Sequence, residues 1–170
     1  MRKTLCSALI QPHFDYASSA WFTSLSKNLS SKLQVLQNKM VRFIDNAGPR
    51  SHVGCDQLKV HGMLNVVSRA KQLRLNQVHN IFHDKAPSYL SKNFIRISDQ
   101  HCHNTRKSNY NFFKIGTNAI KSFFYIAISD WNKLNANVKC VEDRARFKKD
   151  CKKELMSIMV SLETNDFFYY

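Results

Sequence analysis

The sequence predicts a mainly α protein, a helical bundle with a small β-hairpin near residues 104–116. Three observations carry that expectation. Only four Gly and three Pro punctuate 170 residues, too few turn signals for a sandwich of short strands. Apolar side chains recur at i, i+3/i+4 in several long windows. With 44% hydrophobic and 12% aromatic residues, the chain is rich enough to bury a core.

In chain order, Leu5, Leu9 and Ile10 predict a first helical segment, ended or kinked at Pro12, which lacks a backbone N–H. An apolar pattern from Phe14 through Trp21 continues to Leu25. Asn28 or Ser30 then caps a helix that carries Leu29, Leu33, Leu36, Met40, Phe43 and Ile44 on one side and Lys32, Gln34, Asn38, Lys39 and Arg42 on the other. Ala47-Gly48-Pro49 stops it. A short helix and a turn at Gly62 fill 56–64. A long helix follows from Asn65 to before Pro87, on Val66, Ala70, Leu75, Val78, Ile81 and Phe82. The stretch 95–117 is the least helical, and Phe112–Ile115 reads as one hairpin strand with Arg106 on or near its partner. Thr117 or Asn118 caps a helix in which Phe123, Ile126/Ala127, Trp131 and Leu134 share a face. Asn135–Asn137 reads as a loop. Glu142 and Asp143 occupy the first turn of a last helix, against its dipole, with Phe147, Cys151, Leu155, Ile158/Met159 and Leu162 as its buried stripe. Trp21, Phe123, Trp131, Leu134 and Phe147 are the expected core anchors.

Charge is the strongest compositional signal. Lys and Arg number 26 against 12 Asp and Glu, a formal +14. Residues 1–50 carry 7 basic and 2 acidic side chains, 51–100 carry 7 and 3, and 101–170 carry 12 and 7. The excess is spread and is not a tail, which points to a polyanion, nucleic acid by default. Two surfaces are candidates. One is the Lys32/Lys39/Arg42 side of the second helix, where Gln34, Gln37 and Asn38 offer amides to sugar and phosphate oxygens. The other is the window 91–122, where Lys92, Arg96, Arg106, Lys107, Lys114 and Lys121 face only Asp99 in sequence and interleave with Tyr110, Phe112 and Phe113, so that cations meet phosphates and rings stack on bases.

Other chemistries are not expected. No apolar run is long enough to span a membrane, and Gln11-Pro12-His13 follows the short apolar start where a signal peptide would have small residues. Five scattered cysteines suit a reducing nucleus or cytoplasm. His101-Cys102-His103, with Cys55, His52 and His61, lacks the spacing of a zinc site. Asp15, Asp45 and Asp56 lack partners for a two-metal centre, and no phosphate-binding glycine loop or nucleophile elbow occurs. Neither catalytic residues, metal nor cofactor are predicted.

Leu9-Ile10-Gln11-Pro12-His13-Phe14-Asp15-Tyr16 with Ser18, Ser19 and Trp21, then Leu33-Gln34-Val35-Leu36-Gln37-Asn38-Lys39 with Arg42 and Ile44, resembles the thumb of LINE-type, jockey-like non-LTR retrotransposon reverse transcriptases. Ala86-Pro87-Ser88-Tyr89-Leu90, His103-Asn104-Thr105-Arg106, Lys121-Ser122-Phe123, Trp131-Asn132-Lys133-Leu134 and Phe147-Lys148 are similar to the region after that thumb, in order over nearly the whole chain. Asn135 stands where the family's Trp-Asn-x-Leu-Pro has proline. The palm's catalytic carboxylates have no counterpart, so the resemblance implies a non-catalytic C-terminal piece of an RNA-directed DNA polymerase, divided into 1–48 (a thumb-like helical pair) and 49–170 (a post-thumb helical domain). It implies RNA or DNA as partner, with the palm and fingers of a parent polymerase as another. By position, Gln37, Asn38 and Arg42 would face a duplex, and Asn104, Thr105 and Arg106 would belong to the later region. The rival reading is a decayed remnant that folds and binds nothing particular.

Overall fold

The computed structural model describes residues 1–99, 110–112 and 122–166, with side chains up to 161 in the last helix. The chain is mainly helical: α1 Arg2–Leu9, α2 Gln11–Asp15, α3 Ser18–Trp21, α4 Lys27–Asp45, α5 Cys55–Val60, α6 Val66–Phe82, α7 Ser88–Ser91, α8 Phe123–Lys133, α9 Ala136–Lys139 and α10 Arg144–Asp166. Short 3-10 turns lie at Phe22–Ser24 and Ile97–Asp99. The hairpin expected near 104–116 is not supported. Among the described residues there is no strand, and of that range Tyr110–Phe112 alone is described. Phe112 makes an isolated antiparallel bridge to Arg96, because its backbone is taken up by a side chain, as described below.

Two compact units result, Met1–Ala70 with Lys152–Tyr170, and Lys71–Cys151. This division follows packing and differs from the 1–48/49–170 division, which follows a family's modules.

In the first unit, Pro12 sits at the start of α2, where its missing N–H costs nothing. The cap of α4 is Ser26, whose Oγ accepts from Leu29 N at 3.4 Å, and not Asn28 or Ser30. Asn46 ends α4 in the left-handed region at φ 55°, before Gly48 is reached, a conformation Asn tolerates better than most residues. The core here joins Val41, Cys55, Leu58 and Met159, flanked by Val53, Met63 and Met156. Gly62 adopts φ 61° in the turn after α5, where a side chain would strain the backbone. Trp21 is half-buried and its indole donates to Tyr16 O at 2.8 Å. It secures α3 locally and is not one of the buried core residues.

In the second unit Trp131, Phe147 and Leu134 are buried as expected, while Phe123 is only half-buried. Ser122, and not Thr117 or Asn118, caps α8 by accepting from Tyr125 N at 3.3 Å. Rings of Phe82, Phe94, Phe112, Trp131 and Phe147 form a continuous cluster with neighbouring centroids 5.2–5.9 Å apart. Each such pair adds about 0.5–1.5 kcal/mol beyond area burial. Asp143 is the N-cap of α10, accepting from Arg146 N at 2.7 Å, so Glu142 and Asp143 precede the helix. Its stripe Phe147, Cys151, Leu155 and Met159 is buried, but Ile158 is exposed.

Candidate nucleic-acid interface

The spacing of α4 predicts a buried stripe of Leu29, Leu33, Leu36, Met40, Phe43 and Ile44, with Gln37, Asn38, Lys39 and Arg42 available to a duplex; of that stripe Met40 is buried and Leu33 and Ile44 are half-buried. The structure turns it differently. Its buried residues are Gln37, Met40 and Val41, while Leu29, Val35, Leu36 and Phe43 are exposed. Gln37 is 2% exposed and its Nε2 donates to Leu64 O at 2.8 Å. Its Oε1 accepts from Gln34 Nε2 at 2.9 Å. The amide thus satisfies a loop carbonyl inside the unit, since a buried polar group left unpaired is costly, and it is withdrawn from any phosphate. Asn38 is half-buried and its Oδ1 also accepts from Gln34 Nε2. Arg42 donates through Nε to Ser51 O at 2.7 Å, holding the loop after α4.

Lys39 remains an outward cation. With Lys32, seven residues earlier, it stands on one side of α4, about 10 Å apart along the axis. Both are exposed and neither has a carboxylate partner among the described residues. The aspartates of this unit are engaged elsewhere. Arg69 forms a two-pronged pair with Asp15, Nε to Oδ1 at 3.0 Å and Nη2 to Oδ2 at 2.7 Å, and Gln11 Nε2 donates to the same carboxylate at 3.1 Å. Asp45 accepts from His61 at 2.6 Å. Asp15, held within α2 by Gln11, therefore ties α2 to α6, a role that sequence spacing does not disclose because Arg69 lies 54 residues away.

In the second unit, Asn104, Thr105, Arg106, Lys107, Lys114 and Lys121 lie outside the described residues, as does Phe113. What is described is the mount next to them. Asn132 Nδ2 donates to Phe112 O at 2.8 Å, and its Oδ1 accepts from Phe112 N at 3.0 Å. Trp131 Nε1 donates to Tyr110 O at 2.7 Å. Lys139 is buried, its Nζ on Asn111 Oδ1 at 2.8 Å and Asn132 O at 3.1 Å. The Trp-Asn pair thus fixes the backbone at Tyr110 and Phe112, on either side of Asn111. Phe112, expected to stack on bases, is 1% exposed and belongs to the core. Arg96 lies over the Phe82 ring at 4.6 Å and also donates to Phe82 O, so it is partly used in packing. Lys85, Lys92, Lys133, Lys148 and Lys149 are exposed on this unit.

His79 is fully buried, its Nε2 on Val141 O at 2.7 Å and its ring stacked on Phe147 at 4.1 Å. Burial lowers the pKa of His79 and His83 below 6.5, and Lys85 pushes both the same way. Both are neutral at pH 7, and neither adds to the positive surface. Among the described residues no group of three or more His, Cys, Asp or Glu gathers as a metal centre, and no helix is long and apolar enough to cross a membrane.

Comparison of the chain with protein-family models, curated proteins and solved structures finds no match.

Proposed function

We propose that the chain is a non-catalytic, nucleic-acid-binding piece of a LINE-type, jockey-like reverse transcriptase, gripping RNA or DNA through phosphates. The observation that carries it is the pairing of charges. Asp15, Asp45, Asp84, Asp130 and Asp150 are each held by a cation or imidazole, whereas exposed lysines such as Lys32 and Lys39 have no carboxylate partner among the described residues. Of a net +14, much is thereby free to meet a polyanion. A nuclear or cytoplasmic setting fits that partner.

Backbone geometry adds support for the family. Leu134 has ψ 148° and Asn135 φ −60°, the values of a residue before proline and of proline itself. The position where the family carries proline keeps a proline-compatible turn, and Asn135 caps α9 by accepting from Asn137 N at 3.0 Å.

One observation favours the rival remnant reading. Gln37, Asn38 and Arg42, the α4 residues expected by position to face a duplex, serve the fold itself. The two readings separate in a filter-binding titration of the intact chain against single-stranded RNA and heparin. Tighter binding to RNA supports the nucleic-acid role, and equal, weak binding to both supports the remnant.

A further inference from the structure

The side of α4 expected to form core is open. Ile10, His13 and Phe14 from the α1–α2 region and Leu33, Leu36, Lys39, Met40 and Phe43 from α4 line a groove of about 500 Å³. Leu36 and Phe43 are each about half exposed, at 50% and 52%, and Leu5, Leu9 and Leu29 add exposed apolar side chains on the same helices. Arg2 closes one end, its guanidinium 5.6 Å from the Phe43 ring centre and its Nη1 on Phe43 O at 3.4 Å. A connected apolar surface of this kind on a highly charged chain marks an interaction site. Phosphodiesters do not fill an apolar groove, so the nucleic-acid reading leaves it unexplained.

Shape and charge select the occupant. From Leu33 to Phe43 the groove wall runs about 15 Å, roughly three helical turns. Ridges of two packed helices on either side of a trough accept the apolar face of a third, with anchors at i, i+3/i+4 and i+7. The border is cationic: Lys39 lines the groove, Lys32 lies about two turns along α4, and Arg2 stands over Phe43 at one end. Among the described residues no carboxylate lines it, and Asp15 and Asp45, on the same helices, are held by Arg69 and His61. A second copy would bring a like border and another +14, which long-range repulsion disfavours. We infer that this groove docks an amphipathic helix of a different, acidic protein segment, with Leu36 and Phe43 as the apolar contacts and Lys32 and Lys39 as the selectors of charge. The inference shares Lys32 and Lys39 with the nucleic-acid reading, and its own ground is the apolar groove that Leu36 and Phe43 line.

The test uses the full chain and two synthetic helical peptides of about 18 residues, both with Leu at i, i+3, i+4 and i+7. One carries Glu at its remaining positions and the other Lys. Fluorescence anisotropy should show the Glu peptide binding at least about tenfold more tightly than its Lys twin. Leu36→Ser with Phe43→Ser should weaken the Glu peptide by about tenfold or more while RNA binding and thermal melting hold. Lys32→Glu with Lys39→Glu should reverse the peptide preference, a result that no folding defect produces. Equal binding of the two peptides overturns the inference, as does Glu-peptide binding indifferent to Leu36→Ser/Phe43→Ser. Sedimentation that reveals a dimer abolished by Phe43→Ser assigns the groove to a second copy and overturns it too.

Discussion

The Arg74–Asp130 pair of the second unit offers the sharpest stability prediction. Arg74 Nε and Nη2 both donate to Asp130 Oδ2, at 3.0 and 2.5 Å, and Lys71 Nζ lies 3.3 Å from Oδ1. The side chains of Arg74 and Asp130 are 8% and 14% exposed, so solvent screens the pair little. Asp130→Ala leaves a nearly buried guanidinium with no counter-charge. Breaking such a pair costs about 3–5 kcal/mol, and the residual solvent contact of the carboxylate argues for the lower end. For a unit of this size about 3 kcal/mol lowers Tm by roughly 12 °C or more. Arg74→Met together with Asp130→Leu removes both buried charges and leaves only Lys71, 27% exposed, without its carboxylate, so it should lie within about 1 kcal/mol of the parent chain. Arg146–Asp150 on α10, 3.7 Å apart with Arg146 75% exposed, is the internal control, and Asp150→Ala should cost less than about 1 kcal/mol. Urea denaturation followed by tryptophan fluorescence reads these effects, since Trp131 belongs to the same unit. The reasoning fails if Asp130→Ala costs less than about 1 kcal/mol, or if the double variant is as damaged as the single one.

Four further outcomes are expected. Trp131→Phe leaves Tyr110 O without its donor and should cost about 1–3 kcal/mol, with faster amide exchange at 110–112; unchanged exchange would break the link between Trp131 and that segment. Gln37→Leu should destabilise by about 1–3 kcal/mol yet leave RNA affinity within twofold or so, and a selective loss of RNA binding would return Gln37 to the interface. Because burial depresses the pKa of His79 and His83, the unfolded chain takes up their protons first on acidification. Stability should be complete above about pH 6.5 and fall as pH drops through and below it, and a chemical-denaturation series that stays flat from pH 7.5 to 5 in the parent but not in His79→Asn would contradict this. Arg106→Ala with Lys107→Ala should reduce the salt slope of RNA binding by about one unit per lost phosphate contact, and an identical slope removes both residues from the binding surface.

Much of the helical architecture was legible because periodicity reports it directly. The buried stripe of α10 through Phe147, Cys151, Leu155 and Met159 and the Trp131 face of α8 both follow from i, i+3/i+4 spacing. Helix ends were less legible: Ser26, Ser122 and Asp143 were chosen as caps over equally suitable neighbours, since several small polar residues compete at each start. The orientation of α4 departs from its periodicity for a physical reason. Periodicity identifies an apolar stripe but not whether something covers it, and here the buried side instead carries Gln37, whose amide pairs with a carbonyl 27 positions away. The same limit hid the clamp of Asn132 on Phe112 and the Asp15–Arg69 tie, because long-range polar pairing leaves no period in the sequence. Net charge, by contrast, was readable in full, and the unpaired Lys32 and Lys39 are its structural counterpart.

The reading as a whole depends on phosphate contact, and the salt dependence of RNA binding by the intact chain tests it most directly. With about six phosphates neutralised, affinity for single-stranded RNA should fall roughly three-hundredfold between about 50 and 200 mM salt, with a shallower slope for Lys32→Ala with Lys39→Ala. Affinity that barely changes over that range, or a slope indifferent to both lysines, contradicts the account.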